Sequence, residues 1–472
     1  MKILRIGILS EVRNLDPKKA LDVDSMFVLR QILDSPFVEK VGASDPEPVL
    51  FEGPLEWQTG SGGMVLRAKV RQGIRFADGT PLSAQDLAST LANAGLVQEQ
   101  ARLRREGDWL IFELLRPNAR FDLTLSHIEC AVSRTDASGR ICGTGPFQLS
   151  ADSQPQKVRL VRNPHYWRPV ALDEVHFTFF PVDQDGHATA LREALEKGEI
   201  DLCTVLPRDE ISRLSGVRKS FRPSLSTSAL YLNTERGGLR DARVRRAIAH
   251  AVNRLEVAEC CYENALAFKA RSLLPPGMDP TPDGVDFDVE KARALLAEPG
   301  VHPPKELTLL AIWCPRPYIP HPRAVSQALK RQLAAIGIEV RIVETTNSSD
   351  FFRGAIEGTE DMVLAGWAAD TTDPADFLTA NLASDRIPSF KKLAVSVNLA
   401  RFKNPQLDGL LARYRGDRRS ENLQEIFELL RREAPLVPLI YGSAATVTSF
   451  RVLNFQPSPL SVFPVADLDL KA

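Results

Sequence analysis

Residues 307–343 place the tightest limit on what this chain can fold into. Leu307-Thr308-Leu309-Leu310-Ala311-Ile312 is a short apolar run of the kind that makes a buried strand. Beyond a loop, Val325, Leu329, Leu333 and Ile336 recur on one face at helical spacing, and Gly337 supplies a stop. Ile338-Glu339-Val340-Arg341-Ile342-Val343 then reads as a second strand. Strand, helix and strand in that order predict a βαβ unit with parallel strands, and so an α/β fold.

The rest of the chain is compatible with that class. At 472 residues it is too long for one core, and about three units of domain size are expected. Ile3 to Leu9 reads as an opening strand, followed by a helix through Phe27, Leu29, Ile32 and Leu33. Residues 49–77 read as a meander with a flexible turn at Gly60-Ser61-Gly62-Gly63 and a strand from Met64 to Val70. Asp78-Gly79-Thr80-Pro81 is a turn, and Ser83 with Asp86 three residues later marks a capped helix start. Val158–Val161 and Val175–Phe179 are strand-like. Helices are expected through Leu191, Ala194 and Leu195 up to Gly198, and through Val244, Ile248 and Val252. Pro275 to Pro280 is a loop by composition, and Val437 to Tyr441 is a returning strand.

Charge and motif content then exclude several functions. Net charge is -1, which gives no general drive toward nucleic acid or anionic membrane. No apolar stretch of about 18 residues is present to span a membrane. Met1 to Leu9 lacks the longer apolar region and small-residue site of a signal peptide, so either a leader has been removed or the chain stays in the cytoplasm. The cysteines at 130, 142, 203, 260, 261 and 314 show no C-x-x-C spacing; they read as small core residues, with one disulfide as the alternative. Gly143-Thr144-Gly145 lacks the Lys-Ser/Thr of a phosphate loop, and Pro146 removes a donor, so it reads as a structural turn. The seven histidines, at 127, 165, 176, 187, 250, 302 and 321, stand singly, and no G-x-S-x-G elbow occurs. Nothing here calls for an enzyme, a cofactor or a metal.

Six blocks carry a positive signal. They are Val70 to Leu87 (VRQGIRFADGTPLSAQDL), Gly143-Thr144-Gly145-Pro146-Phe147, Arg162-Asn163-Pro164-His165-Tyr166-Trp167, Gly198-Glu199-Ile200-Asp201, Asp241-Ala242-Arg243-Val244-Arg245-Arg246-Ala247-Ile248, and Gly366-Trp367-Ala368-Ala369-Asp370 with Asp373-Pro374. In content and order they resemble the family 5 extracellular solute-binding proteins, the oligopeptide-, dipeptide- and nickel-binding group of ABC importers. The chain departs from the family pattern at Ala77, where a histidine is usual, and at Asp34-Ser35-Pro36-Phe37, where Y-E-P-L is usual. Ser226 and Ala368 stand where some oligopeptide binders have a lobe-linking disulfide.

The resemblance implies a periplasmic-binding-protein-like fold: two α/β lobes joined by hinge strands, plus an additional smaller α+β domain. By analogy lobe I is 1–33, 143–226 and 438–472, the additional domain 34–142, and lobe II 227–437. It implies a monomeric, non-catalytic receptor that binds peptides or a related solute between its lobes and delivers them to ABC permease subunits from the periplasm or cell envelope. Alternatives on the same fold are an opine, oligosaccharide or metal-chelate binder, or a cytoplasmic ligand sensor. In oligopeptide binders the Asp of the Trp-x-x-Asp segment pairs with the peptide's ammonium, a place that Asp370 takes here. Trp367 is either a wall of the cleft or a core residue. Asp373 is expected to cap the following helix rather than touch ligand. Trp313 and Tyr318 follow a strand at the carboxyl-end crevice where α/β sheets bind ligands. Arg316 and Arg323 are candidates for a bidentate carboxylate contact, against a solvated role.

Overall fold

The computed structural model describes all residues except 21, 41–44, 59–63, 119, 137, 184–186, 207, 263–264, 279–283, 313, 317, 346, 390–396, 459, 461 and 472. The turn expected at Gly60 to Gly63 and part of the loop after Pro275 therefore lie outside the described residues.

One ten-stranded sheet organises the molecule. Its order is Phe147–Leu149, Lys157–Arg162, Glu174–Phe179, Ile3–Ile8, Leu202–Cys203, Leu436–Ser449, Val217–Leu232, Met362–Ala368, Glu306–Ile312 and Glu339–Thr345. The expected βαβ unit sits at one edge: Leu307 pairs with Val340 and Leu309 with Ile342 in parallel, and the helix Pro322–Ala334 connects them. Gly337, at φ +83°, ends that connection in the left-handed region that glycine reaches without steric cost. At the other side Ile3–Ile8 runs parallel to Glu174–Phe179 and to Leu202–Cys203.

Two long antiparallel strands join these halves. Leu436–Ser449 pairs through Val447 and Thr448 with Leu202–Cys203, whereas Val217–Leu232 pairs through Ser226 to Leu232 with Met362–Ala368. They pair with each other from Val217↔Ser449 to Tyr231↔Leu436, with register shifts between Pro223 and Thr227 and between Ser228 and Ala229. A shift of register breaks the ladder locally and lets the strands bend. It falls midway between the two half-sheets, where a hinge is mechanically useful. Ser226 and Ala368 are register partners there. The 16-residue strand Val217–Leu232 has no counterpart in the sequence expectations, because its Ser- and Thr-rich stretch carries neither clean alternation nor an apolar run.

Each half has its own core. Leu4, Ile6, Phe27, Phe147 and Phe177 fill one side, and Leu309, Leu329, Val244 and Ile248 the other. A third cluster around Phe51, Leu66, Phe76 and Phe112 lies under a separate four-stranded sheet, ordered Glu56–Trp57, Val65–Lys69, Trp109–Leu114 and Ala101–Glu106. The predicted helix start at Ser83 is a full capping box with Asp86.

The Gly143-Thr144-Gly145 turn docks backbone on backbone. A Cβ at Gly143 would lie 2.3 Å from the Ile32 carbonyl oxygen, and one at Gly145 would lie 2.5 Å from the Ile32 carbonyl carbon. The Gly145 N–H donates to Ile32 O at 2.9 Å, closing the end of the helix Val23–Ile32. Among the described residues no helix is long and apolar enough to cross a membrane.

Candidate functional site

Segments that leave the carboxyl ends of the parallel strands in the two half-sheets meet each other. Cys314, just past Glu306–Ile312, donates its thiol to the carbonyl of Leu9, just past Ile3–Ile8, at 3.5 Å. Nearby, Arg316 is buried and donates to Cys314 Sγ at 3.3 Å. Burial works against its charge, but Cys314, Tyr318, Asp24 and Asp22 outweigh that effect and raise its pKa. Asp24, on the opposing helix Val23–Ile32, is buried and accepts from the Ser10 N–H at 2.9 Å. Burial pushes its carboxyl up to about 7, with Arg316 pulling the other way.

At the next position along this interface stands Asp370, in the turn after Met362–Ala368. Its carboxylate lies 3.3 Å from Nε2 of His127, whose side chain is 8% exposed. Nδ1 of His127 accepts from the Glu129 N–H at 3.1 Å, so the neutral ring carries its proton on Nε2, facing Asp370. Burial disfavours the imidazolium, yet Asp370 and Glu129 more than offset it, and the His127 pKa is raised. A second contact across the same face joins Thr372 N–H to Glu39 Oε2 at 2.9 Å. A third pairs Arg386 with Glu99.

Asp370 borders two small cavities. One, of about 30 Å³, is walled by His127, Trp367, Phe377, Asp376 and Arg415. The other, of about 40 Å³, is walled by Arg30, Glu39, Ser126 and Val462. Through Arg30 and Glu39 the latter adjoins a cavity of about 380 Å³, among Asp34, Tyr166, Arg168, Phe455 and Phe463. Asp34 accepts from Thr144 Oγ1 at 3.1 Å. Burial lifts its carboxyl to about 7 against that bond and the charges of Arg168 and Arg30. At the far end of the interface, Leu9, Phe179, Cys314 and Phe352 border a cavity of about 450 Å³. Among the described residues no group of three or more His, Cys, Asp and Glu side chains is placed to hold a metal ion.

The residues singled out from sequence fall into distinct places. Asp370 and Trp367 share one cavity wall, Trp367 half-buried and paired with Thr227 in the sheet. Tyr318 lies with Arg316, its ring so close that a Cβ on Gly366 would sit 2.5 Å from Cδ2. Asp373 is the N-cap of the helix Pro374–Leu382, accepting from Ala375 N–H at 2.9 Å. Arg323 is exposed in the first turn of the helix Pro322–Ala334, away from these cavities. Trp313 lies outside the described residues. Four residues that sequence reasoning passed over, Arg30, Asp34, Glu39 and His127, border the same cavities. Asp34 had appeared only as a departure from the family's Y-E-P-L segment and His127 only as one of seven histidines that stand singly.

Comparison with known proteins bears on this geometry. The sequence profile of the family described as bacterial extracellular solute-binding proteins, family 5 Middle, matches residues 46–389. The dipeptide-binding protein of Pseudomonas aeruginosa PAO1 is 27% identical over 331 residues, covering 68% of this chain and 60% of the relative. The dipeptide-binding protein of Escherichia coli K12 is 30% identical over 246 residues, covering 50% of this chain and 44% of the relative. These matches thus span less than two thirds of the curated relatives' own length. A crystal structure of the dipeptide binding protein of Pseudoalteromonas sp. SM9913 in complex with Met-Leu superimposes with a TM-score of 0.87 at 21% identity, covering 100% of both chains. At that identity the likeness speaks to the fold.

Proposed function

This chain belongs to the bacterial extracellular solute-binding proteins of family 5, and on that premise we propose that it captures short peptides between its lobes and hands them, chemically unchanged, to an ABC importer. In this reading lobe I is 1–33, 143–226 and 438–472, the additional domain 34–142 and lobe II 227–437. Both boundaries fall inside the two crossing strands, 226/227 within the register shift from Pro223 to Thr227 and 437/438 next to the one that separates Ile440 from Pro438. Closure about that point brings Asp370 against the opposite wall, and a ligand that touches both walls only when they are closed shifts the equilibrium toward closure. The protein acts outside the cytoplasmic membrane, as a monomer, with permease subunits as its partners.

The observation that carries the reading is the Asp370 carboxylate, mostly buried at the lobe interface and facing a cavity. A carboxylate in that setting favours a cation that brings its own hydrogen bonds, and a peptide's ammonium supplies three. A charge-assisted hydrogen bond of this kind contributes about 1.5–3 kcal/mol. Asp370→Ala is therefore expected to weaken dipeptide binding by at least tenfold (about 1.4 kcal/mol) in titration calorimetry, with one-site stoichiometry for the native protein. Unchanged affinity in the variant would remove Asp370 as the anchor.

A further inference from the structure

The half of the molecule that holds the βαβ unit carries a cavity of its own, of about 50 Å³. Its walls come from two stretches, 249–285 and 427–438, and it shares no residue with the four cavities that border the lobe interface. Arg254, the first residue of the helix Arg254–Glu259, is 7% exposed there. Its Nε donates to the Pro438 carbonyl at 2.9 Å and its Nη1 to the Val285 carbonyl, both neutral acceptors. Among the described residues Nη2 has no hydrogen-bond partner, and no carboxylate lies within ion-pair distance of the guanidinium. Burial lowers its pKa to about 10, with Asp286 and Tyr441 opposing the shift, so the group keeps its charge at neutral pH. A buried cation with an open donor costs free energy until an anion joins it.

The rest of the wall narrows what that anion is. Arg271 and Arg431 border the same cavity, both exposed and both without an ion pair among the described residues, and no acidic side chain lines it. Arg431 stands in the last turn of the helix Ser420–Glu433, where its charge also answers the helix's negative end. The position of Arg271 is fixed by its backbone: the Tyr441 hydroxyl accepts from the N–H groups of Arg271 and Ser272 at 3.0 and 3.1 Å. A Cβ on Gly284 would lie 2.8 Å from the Arg271 carbonyl oxygen, so the two loop backbones pack directly together. Phe427, Leu430, Leu436 and Val437 make the remaining surface apolar. One water needs roughly 10–15 Å³ of such space, so the cavity takes about four heavy atoms. The planar fork of a guanidinium matches a carboxylate, whereas a phosphate dianion would press further oxygens against apolar side chains. We propose that this cavity is a second binding site, separate from the interlobe cleft, for a short-chain monocarboxylate of acetate to propionate size, with Arg254 as its buried anchor and Arg271 and Arg431 at its mouth. It lies against the crossing strand Leu436–Ser449, beside the register shift between Ile440 and Pro438.

The test uses the full chain with three probes at constant ionic strength: propionate, its neutral isostere propionamide, and inorganic phosphate. Saturation-transfer NMR and titration calorimetry read binding. Native protein is expected to bind propionate saturably, and at least tenfold more tightly than either of the others. Arg271→Met/Arg431→Met changes only exposed side chains and should weaken propionate at least fivefold. Arg254→Lys keeps the charge without the fork and should weaken it further. Since Arg254 also holds two carbonyls, its variant is judged only alongside the double variant, with circular dichroism confirming that both fold. Propionamide or phosphate binding as tightly as propionate would overturn the carboxylate assignment. No binding of propionate to native protein, or binding that the double variant leaves unchanged, would overturn the site itself. Neither result bears on peptide capture, which these probes do not measure.

Discussion

Arg418 and Asp373 test how the turn that carries Asp370 is held in place. The Asp373 side chain is 3% exposed and meets Arg418 through both oxygens: Oδ2 accepts from Nη2 at 2.8 Å, and Oδ1 lies 2.8 Å from Nη1. Oδ1 also caps the helix Pro374–Leu382 through the Ala375 N–H. One carboxylate therefore ties the start of that helix to Arg418, three residues beyond the proposed anchor. Arg418→Met would strand it. Breaking a buried pair from one side costs about 3–5 kcal/mol. Arg418 is itself 24% exposed, so water can partly replace it, and the lower end, ~3 kcal/mol, is expected.

The pH dependence of that loss has a definite sign. Burial, with a smaller push from Asp376, already raises the Asp373 pKa, while Arg418 opposes the rise. Without Arg418 it must climb further. Below the unfolded-state pKa of about 3.9 the carboxyl is protonated in every state, and the electrostatic part of the difference vanishes. The gap between native and variant opens as pH rises through the native Asp373 pKa. Urea unfolding at about pH 5 and about pH 8.5 should show the larger deficit at the higher pH. The double variant Arg418→Met/Asp373→Asn should recover most of it, since no charge is then left bare. A deficit below ~1 kcal/mol, or one indifferent to pH, would refute the claim that this pair holds the anchor turn.

Two further outcomes follow from buried titratable groups. Asp24, with its carboxyl at about 7 in the fold, binds a proton in the native state that the unfolded chain releases above pH ~3.9, so stability should fall as pH rises between those values. Asp24→Asn can keep the Ser10 N–H bond and should be roughly 2–4 kcal/mol more stable than native near pH 8; a variant less stable than native there would contradict this account. His127 faces Asp370, with Glu129 and Arg30 as its other charged neighbours. Its imidazolium competes with a ligand's ammonium for the Asp370 carboxylate, so peptide affinity should rise with pH through the raised His127 pKa. Calorimetry across that range on His127→Gln should give a flatter profile, and an unaltered profile would exclude His127 as the competitor.

The elements that could be read from sequence are those whose stabilising partners lie nearby along the chain. Ser83 and Asp86 cap one helix end within one turn, Gly337 ends the helix that precedes its own strand, and Leu307 to Val343 repeats at periods that backbone geometry enforces. Asp373 belongs with them, because an N-cap is satisfied two residues away. The family motifs added the order of the chain, and with it Asp370. Val217–Leu232 was not legible for the opposite reason. Its extended state is imposed by Leu436–Ser449, far along the chain, and tertiary pairing overrides its weak local pattern.

The cavity-bordering charges follow the same physics. His127, Arg30 and Glu39 each make a local or neutral hydrogen bond that would suit an ordinary surface or core residue: Glu129 N–H to His127 Nδ1, Arg30 to Ser35 Oγ, and Ser126 Oγ to Glu39 at 3.5 Å. What sets them apart is their surroundings, an Nε2 facing Asp370 and a guanidinium bordering a cavity, and both depend on segments remote in sequence. A residue type and its spacing encode how a side chain is held. Which of its hydrogen-bonding positions stays open is decided by the packing of segments that are remote in sequence, here the first helix, the segment Phe121–Cys130 and the turn after Met362–Ala368. Cavities lined by segments that meet only in the fold therefore concentrate the part of the protein that sequence patterns describe least.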